Sequence, residues 1–343
     1  LNAWARRHEL LDLRGEPMNL ALNKANLLDF QLLDDLGLLD SLVERFESGE
    51  HVMLSEDADK RAVDDLTQQA KSLSGDQAKL IRARRDQLRA EISAERSFER
   101  ALSASRRELV TLLQMASVSN DPELLLSFNN EQLLDFILRG GMGLAVDEYI
   151  ESQAKIREAV ERAFAVIEPD FSFNAMPQLE QIQAQAVTSV FDDVILPDTQ
   201  SAIRAALTSL SLQVPADIVT SELEERLKRS QGRQLTEVKT RISQYGRSIT
   251  AAAAAAADLD HYLYTGPLDG LTRPFCKALV GKVVSGEQMR KLNNGQGLNV
   301  MTSCGGYNCR HTWSPVSEGF IQAADLDEAT TADINRANAR AKR

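Results

Sequence analysis

The chain has 343 residues, of which 43% are hydrophobic, 5% aromatic and 26% charged. This length is that of about two domains, and the low aromatic content argues against a β-sandwich or a propeller. The formal charge of −11 opposes general nucleic-acid binding, and no apolar run reaches the ~20 residues that a membrane-spanning helix needs. We therefore expect a mainly α protein with no membrane partner. Its N-terminal region should be a long helical hairpin or coiled coil, and its C-terminal domain small, loop-rich and α+β.

The region 1–140 is predicted to be helical and rich in leucine and arginine. Leucines recur at steps of three and four residues over 10–47, which is typical of an amphipathic helix or helix pair. Residues 59–118 contain no proline, and their apolar stripe has nearly coiled-coil spacing. The turn of this hairpin is expected at Ser72, Ser74 and Gly75.

Arginines outnumber acidic residues between positions 82 and 107. One interpretation is a solvated helix face with intrahelical ion pairs, and the other is a surface that contacts DNA or an acidic partner. Because the whole chain is acidic, any DNA contact must be local. The residues assigned to such a contact are Arg82, Arg84, Arg85 and Arg89.

The region 141–257 is predicted to be a helical domain. Gly140, Gly141 and Gly143 are enough to end the preceding helix and to place a hinge there. Pro169 stops one helix of this domain, and Pro215 precedes the last. The helices are expected over 144–168, 179–196, 199–212 and 217–257.

Glycines crowd into 258–322, which we predict to be a small Cys/His domain followed by a basic-ended tail over 323–343. All three cysteines and one of the four histidines lie there, at Cys276, Cys304, Cys309 and His311. An odd number of cysteines does not suggest a disulfide framework. Three thiolates and one imidazole can bind zinc tetrahedrally, and Cys309 and His311 face the same way in an extended strand. The sequence therefore predicts a structural zinc site.

Two other interpretations of these residues stay open. The first is a set of small buried cysteines beside an unrelated histidine. The second is a cysteine nucleophile, either Cys276 or Cys304, with His311 or His261 as its base.

The segment YTGPLDGLTRP places Asp269 and Arg273 on one turn-rich loop. Such a pair usually fixes a loop, so we predict an ion pair between them. A catalytic role for Asp269 would need an acid–base partner, and none lies beside it in the sequence. The chain has no Walker loop, no HExxH and no GxSxG.

A fixed order of residues runs through the C-terminal quarter of the chain. They are Asp269, Thr272, Arg273, Pro274, Cys276, Gly281, Lys282, Cys309, Arg310, His311, Trp313 and Pro315. This order resembles the conserved end of tailed-phage minor head proteins, the Mu F-like head-morphogenesis family. That family shows a D-x-x-T-x-x-x-C or D-x-x-T-x-x-x-H box, a G-K pair and a closing C-R-C or C-R-H. The resemblance covers about residues 240–316.

The resemblance implies a structural minor capsid protein, not an enzyme, that acts near the portal or the inner capsid surface during assembly or genome packaging. The implied partners are portal and capsid proteins. Packaged DNA, through the arginine-rich helix, and a second copy of the chain are further candidate partners. The implied location is the virion, at the head interior or portal vertex, after synthesis in the host cytoplasm. Acids such as Glu9 and Asp12 near the start are unlike a secretory signal. The alternatives are a cytoplasmic helical adaptor with a zinc-stapled tail and a toxin-like enzyme with a C-terminal catalytic domain.

Overall fold

The computed structural model describes residues 51–118 and 130–341. The leucine-rich stretch at 10–47 lies outside the described residues. Within the described ranges the fold is mainly α, with a small four-stranded sheet near the C-terminus, as the composition predicts. None of the described helices is both long enough and apolar enough to cross a lipid bilayer.

Long helices make up most of the described chain. The predicted hairpin turn is confirmed, because α1 (His51–Ser72) and α2 (Gly75–Val118) are joined by two residues and Gly75 has a φ of 57°. Four further helices follow the sequence prediction closely at most of their ends. They are α4 (Gly143–Phe164), α5 (Leu179–Val190), α6 (Leu196–Ser211) and α7 (Ala216–Ala256), with the short α3 (Asn130–Ile137) before them.

Two π-helical turns interrupt the helices of the described part of the chain. The first, Leu138–Met142, occupies the predicted hinge. Its Gly141 has a φ of 92°, a backbone conformation that residues other than glycine rarely adopt. A Cβ on the neighbouring Gly140 would overlap the Leu109 side chain, so a larger residue there would displace this buried leucine. The second, Phe191–Ile195, separates α5 from α6.

The C-terminal elements are short and surround the sheet. The strands are β1 (His261–Thr265), β2 (Lys282–Ser285), β3 (Thr312–Pro315) and β4 (Asp327–Glu328). Their order is β3-β1-β2-β4, antiparallel except for the β2–β4 pair. The helices between and after them are α8 (Pro274–Lys277), α9 (Gly286–Met289), α10 (Val300–Ser303), α11 (Glu318–Ala323) and α12 (Thr331–Ala341).

The segment predicted as a basic-ended tail differs in the structure. Its described part, 323–341, contributes β4 and α12. Ile334 and Ala337 of α12 are buried in the same core as the tyrosines of β1. Their spacing of three residues puts both on one helix face, which packs instead of fraying.

The described chain divides into two compact units. The C-terminal unit comprises 51–88, 163–171 and 254–341, and the helical unit comprises the described residues of 89–162 and 172–253. The sequence had assigned 51–88 to a separate N-terminal region. These residues join the C-terminal unit through long-range contacts, such as the hydrogen bond from the Leu268 N–H to the Asp65 carboxylate at 2.7 Å.

The sheet of the C-terminal unit has a core on each face. Tyr262 and Tyr264 of β1 contribute to one core, whereas Leu263 contributes to the other, as the period of two along a strand requires. Trp313 belongs to the first core, and Leu80 from the start of α2 belongs to the second. The first core also contains the cysteines.

The helical unit has an aromatic centre. Phe98 of α2, Tyr149 of α4 and Phe191 pack edge to face, with ring centroids 5.8–5.9 Å apart. Leu102 and Leu109 of the predicted α2 stripe are also buried. A half-buried ion pair between Lys239 of α7 and Glu95 of α2, at 2.9 Å, joins two of its helices.

Candidate metal centre

A buried group of ligand atoms lies in the first core of the C-terminal unit. Cys276 is in α8, while Cys309 and His311 directly precede β3. Their ligand atoms all lie within 4.8 Å of one another. The two sulfurs are 3.8 Å apart, and the Cys309 Sγ is 3.6 Å from the His311 Nδ1. This group can hold a metal ion.

The loop between α10 and β3 positions these side chains. The Gly305 N–H donates to the Cys309 Sγ at 3.3 Å. The Arg273 guanidinium, just before α8, donates to the carbonyls of Gly305 at 3.2 Å and Tyr307 at 2.6 Å. The residues before α8 and before β3 are therefore joined around the sulfurs.

Gly305 closes over the sulfurs so tightly that a side chain has no room. A Cβ there would overlap the Cys276 Sγ and lie 3.3 Å from the Cys309 Sγ. We expect Gly305→Ala to destabilise the C-terminal unit by about 1–3 kcal/mol, because overpacking displaces core groups, and to weaken metal binding. Chemical denaturation and a metal titration measure both effects. Gly270→Ala is the control, since a Cβ at Gly270 meets no atom within 4 Å, and equal effects of the two variants would contradict this expectation.

Cys304 was predicted as a ligand, and the structure places it differently. It is fully buried in the same core, but it does not belong to the group whose ligand atoms are all within 4.8 Å of one another. It follows α10 with a φ of 51°, and its carbonyl accepts a hydrogen bond from the Asn294 side chain at 3.1 Å. Its backbone reverses the chain before Gly305.

Hydrogen bonding and burial favour the protonated forms of Cys276 and Tyr264. The hydrogen bond with Cys309, followed by burial, raises the pKa of the Cys276 thiol well above its ordinary value. Burial, with smaller contributions from the cysteines, raises the pKa of the Tyr264 phenol. Since a cation favours the deprotonated form of its ligands, metal binding at this site would release protons.

The carboxylate of the family box pairs with the arginine of the closing motif. Asp269 accepts two hydrogen bonds from Arg310, at 2.6 and 2.7 Å, and both side chains are about one-tenth exposed. The predicted pair of Asp269 with Arg273 is thus replaced by a pair with Arg310, because the segment before β3 returns beside the loop. Arg310 also donates to the Ala58 carbonyl of α1 at 3.1 Å. This arginine therefore connects α1, the Asp269 loop and the ligand segment.

Thr272 explains the spacing of the D-x-x-T box. Its buried hydroxyl donates to the Pro267 carbonyl at 2.8 Å and accepts from the Asp269 N–H at 3.1 Å. Burial by itself would raise the pKa of the Asp269 carboxyl. The hydrogen bonds and charge of Arg310, with hydrogen bonds from Thr272 and the Leu271 N–H, outweigh burial and lower that pKa.

The other residues of the resemblance support the same core. Pro274 begins α8, and Gly281, with a φ of 83°, donates its N–H to the Tyr264 carbonyl at 2.9 Å. Lys282 forms an ion pair with Asp327 of β4 at 2.7 Å. The remaining two are Trp313, whose Nε1 donates to the Val300 carbonyl at 2.9 Å, and Pro315, which pairs with Tyr262 across the sheet.

The arginines assigned to a DNA or partner contact do not share one environment. Arg82 and Arg89 are exposed, and Arg85 is half-buried and paired with Asp86 at 2.8 Å. Arg84 is buried and donates to the Arg310 carbonyl at 2.9 Å. Its assignment to a surface contact is corrected, because its guanidinium holds the segment between the candidate ligands Cys309 and His311.

Tyr264 is a site residue that the sequence does not single out. Its hydroxyl donates to the Cys276 Sγ at 3.3 Å and lies 3.8 Å from the Cys309 Sγ. Its ring stacks on the His311 ring, with centroids 5.3 Å apart and planes 10° apart. An aromatic residue in an apolar strand is ordinarily a core residue, so the sequence carried no signal for this contact.

No protein-family model, curated protein or solved structure matches the chain. The resemblance to minor head proteins therefore depends on the motif residues alone. Of these, the structure brings Asp269 to Arg310, and Cys276 to Cys309 and His311.

Proposed function

We propose that the chain is a structural minor capsid protein of a tailed phage, of the head-morphogenesis type. In this proposal it acts near the portal or the inner capsid surface during assembly or genome packaging. The observation that supports it is the convergence of the motif residues: the Asp269–Arg310 pair and the ligands Cys276, Cys309 and His311 all lie in one compact unit. A motif whose members hold each other in place is typical of a structural module.

In the same proposal the metal is zinc and its role is structural. Two thiolates and an imidazole are donors that suit zinc. Around a tetrahedral zinc ion, two sulfurs bonded at 2.3 Å lie roughly 3.8 Å apart, and a sulfur and an imidazole nitrogen lie roughly 3.6 Å apart. The observed separations are 3.8 Å for the Cys276 and Cys309 sulfurs and 3.6 Å for Cys309 Sγ and His311 Nδ1. These two separations therefore already match those expected around the ion.

Burial supports a structural role over the toxin-like enzyme. Cys276, Cys309 and His311 are exposed by 1%, 5% and 2%, whereas reactive cysteines usually lie in partly exposed, electropositive surroundings. The Cys309 sulfur, which lies 3.6 Å from the His311 Nδ1, is not one of the predicted nucleophiles Cys276 and Cys304. Buried ligands of this kind stabilise a domain.

A DNA contact by α2 belongs to this proposal and depends on the exposed Arg82 and Arg89. Reversing both charges with Arg82→Glu and Arg89→Glu is expected to weaken duplex-DNA binding. It should also reduce the dependence of binding on salt, because fewer counterions are released when fewer phosphates are contacted. Fluorescence anisotropy at several salt concentrations measures this. The matched control reverses Arg139 and Arg336, two exposed arginines on other helices. Binding that both double variants reduce equally would contradict a contact through α2.

Quantitative mass spectrometry of gradient-purified particles tests the location. The copy number of the chain is compared with those of the portal and the major capsid protein, in immature and in mature particles. The proposal predicts recovery at a low copy number close to that of the portal. An abundant host cytoplasmic protein measured in the same fractions serves as the control for contamination. Absence from both kinds of particle would overturn the virion assignment and favour the cytoplasmic adaptor.

A further inference from the structure

A zinc site in a protein interior is closed by four protein ligands. Cys276, Cys309 and His311 supply a sulfur, a second sulfur and a nitrogen. The phenol of Tyr264 lies directly against this group, since its Oη is 3.3 Å from the Cys276 Sγ and 3.8 Å from the Cys309 Sγ. Its ring is parallel to the His311 ring. Tyr264 thus touches every member of the group.

The separations of the Tyr264 Oη from the two sulfurs are those expected of a fourth tetrahedral ligand. An oxygen bonded at about 2.0 Å and a sulfur bonded at 2.3 Å to one tetrahedral ion lie roughly 3.5 Å apart. The distances from the Tyr264 Oη to the two sulfurs, 3.3 and 3.8 Å, lie on either side of that value. The sulfur–sulfur distance and the distance from the Cys309 Sγ to the His311 Nδ1 also match the separations expected around a tetrahedral ion.

We propose that Tyr264 is the fourth ligand, so that the ion is bound by Cys276, Cys309, His311 and the Tyr264 oxygen. This inference rests on the metal site of the proposed function and replaces Cys304 in the ligand set that the sequence predicts. Cys304 lies outside the group of mutually close ligand atoms, and its backbone is held by Asn294.

The fold keeps the Tyr264 ring in place. β1 lies between β2 and β3, and Tyr264 pairs with Trp313 across the sheet, with ring centroids 4.2 Å apart. The tyrosine is fully buried, with the Trp313 ring tilted against it and the His311 ring stacked on it. A ligand whose rotamer is locked by packing needs little ordering when the ion binds.

Cobalt(II) bound to the chain in place of zinc distinguishes the two candidates for the fourth ligand. Thiolate-to-cobalt charge-transfer absorption reports the number of thiolates, and the d–d bands report the whole donor set. The variants are Tyr264→Phe and Cys304→Ser, each of which removes one candidate and nearly keeps its size. We expect Tyr264→Phe to shift the d–d bands, to keep the charge-transfer intensity and to weaken binding at least about tenfold. Cys304→Ser should leave all three unchanged.

Three outcomes would overturn the inference. If Cys304→Ser loses about one-third of the charge-transfer intensity, Cys304 is the fourth ligand. If Tyr264→Phe keeps the wild-type d–d bands, Tyr264 serves only as a hydrogen-bond donor to the sulfurs, even if affinity falls. If the wild-type chain binds neither cobalt nor zinc, the metal site itself fails, and the two failures are thereby distinguished.

A second measurement does not depend on the folding of Tyr264→Phe. Zinc titrated into the wild-type chain should produce the ultraviolet difference absorption of a metal-bound tyrosine. The same signal should persist in Tyr262→Phe, the matched control, since Tyr262 lies on the same strand and donates to the Leu259 carbonyl instead. A wild-type titration without that signal would overturn the role of Tyr264.

Discussion

If the proposed zinc is bound, replacing Cys309 with serine is expected to abolish its binding and to destabilise the C-terminal unit by at least about 3 kcal/mol. Zinc contributes about 10–16 kcal/mol of binding free energy in small zinc-folded domains. Here the hydrophobic cores on the two faces of the sheet are expected to compensate for only part of the lost metal-binding free energy. Cys309 is chosen for this substitution because its sulfur contacts Cys276, His311 and the Gly305 N–H.

Two measurements check this expectation. Elemental analysis gives the zinc content of the purified variant, and thermal unfolding with and without a chelator gives the part of the stability that depends on metal. Cys304→Ser is the matched control, because it also alters a buried cysteine of the same core. A Cys309→Ser protein that unfolds like the wild type, with no effect of chelator on either, would contradict a structural metal.

Replacing Arg310 with methionine is expected to cost about 3–5 kcal/mol, because it leaves the Asp269 carboxylate buried without its ion-pair partner. It also removes the hydrogen bond to the Ala58 carbonyl. Denaturant unfolding measures the loss. Lys291→Ala is the control: it breaks an exposed i,i+4 pair with Glu287, which is worth less than about 1 kcal/mol. Similar losses of unfolding free energy in both variants would show that the Asp269–Arg310 pair stabilises the chain no more than an exposed pair does.

The same pair predicts how stability depends on pH. The pKa of Asp269 is lower in the folded chain than its ordinary value of 3.8. Its contribution is therefore complete above that ordinary value and is lost as the pH falls through the lower, folded pKa. The acid-induced loss of stability should be smaller in Asp269→Asn than in the wild type. Parallel curves for the two proteins would rule out this contribution.

Local patterns in the sequence were sufficient for the helices and for most of the ligand group. The apolar period of 3.6 residues predicted a helix over 217–257, and the structure has Ala216–Ala256. Residue type and spacing predicted that Cys309 and His311 lie close together, and their ligand atoms are within 4.8 Å of each other, although both residues precede β3 and do not belong to it. These features depend on residues that are close together in the sequence, so local sequence patterns predict them.

The choice of partners could not be predicted, because it depends on how distant segments return to one another. Asp269 pairs with Arg310 and not with the nearby Arg273, since β3 brings Arg310 beside the loop. Arg84 reads as one more charge in a basic helix, yet its guanidinium is buried against the Arg310 carbonyl. Each of these contacts joins residues that no short window of the sequence contains together.

The division of the C-terminal unit has a consequence for synthesis on the ribosome. Its first piece, 51–88, is translated long before the last, which ends with α12. At about 5–20 residues per second, the intervening chain takes many seconds to make. Leu80 thus emerges well before Leu263 and Val283 exist to cover it. The helical unit is complete earlier, so a nascent chain would carry one folded unit while the apolar side chains of 51–88 are still uncovered and accessible to chaperones.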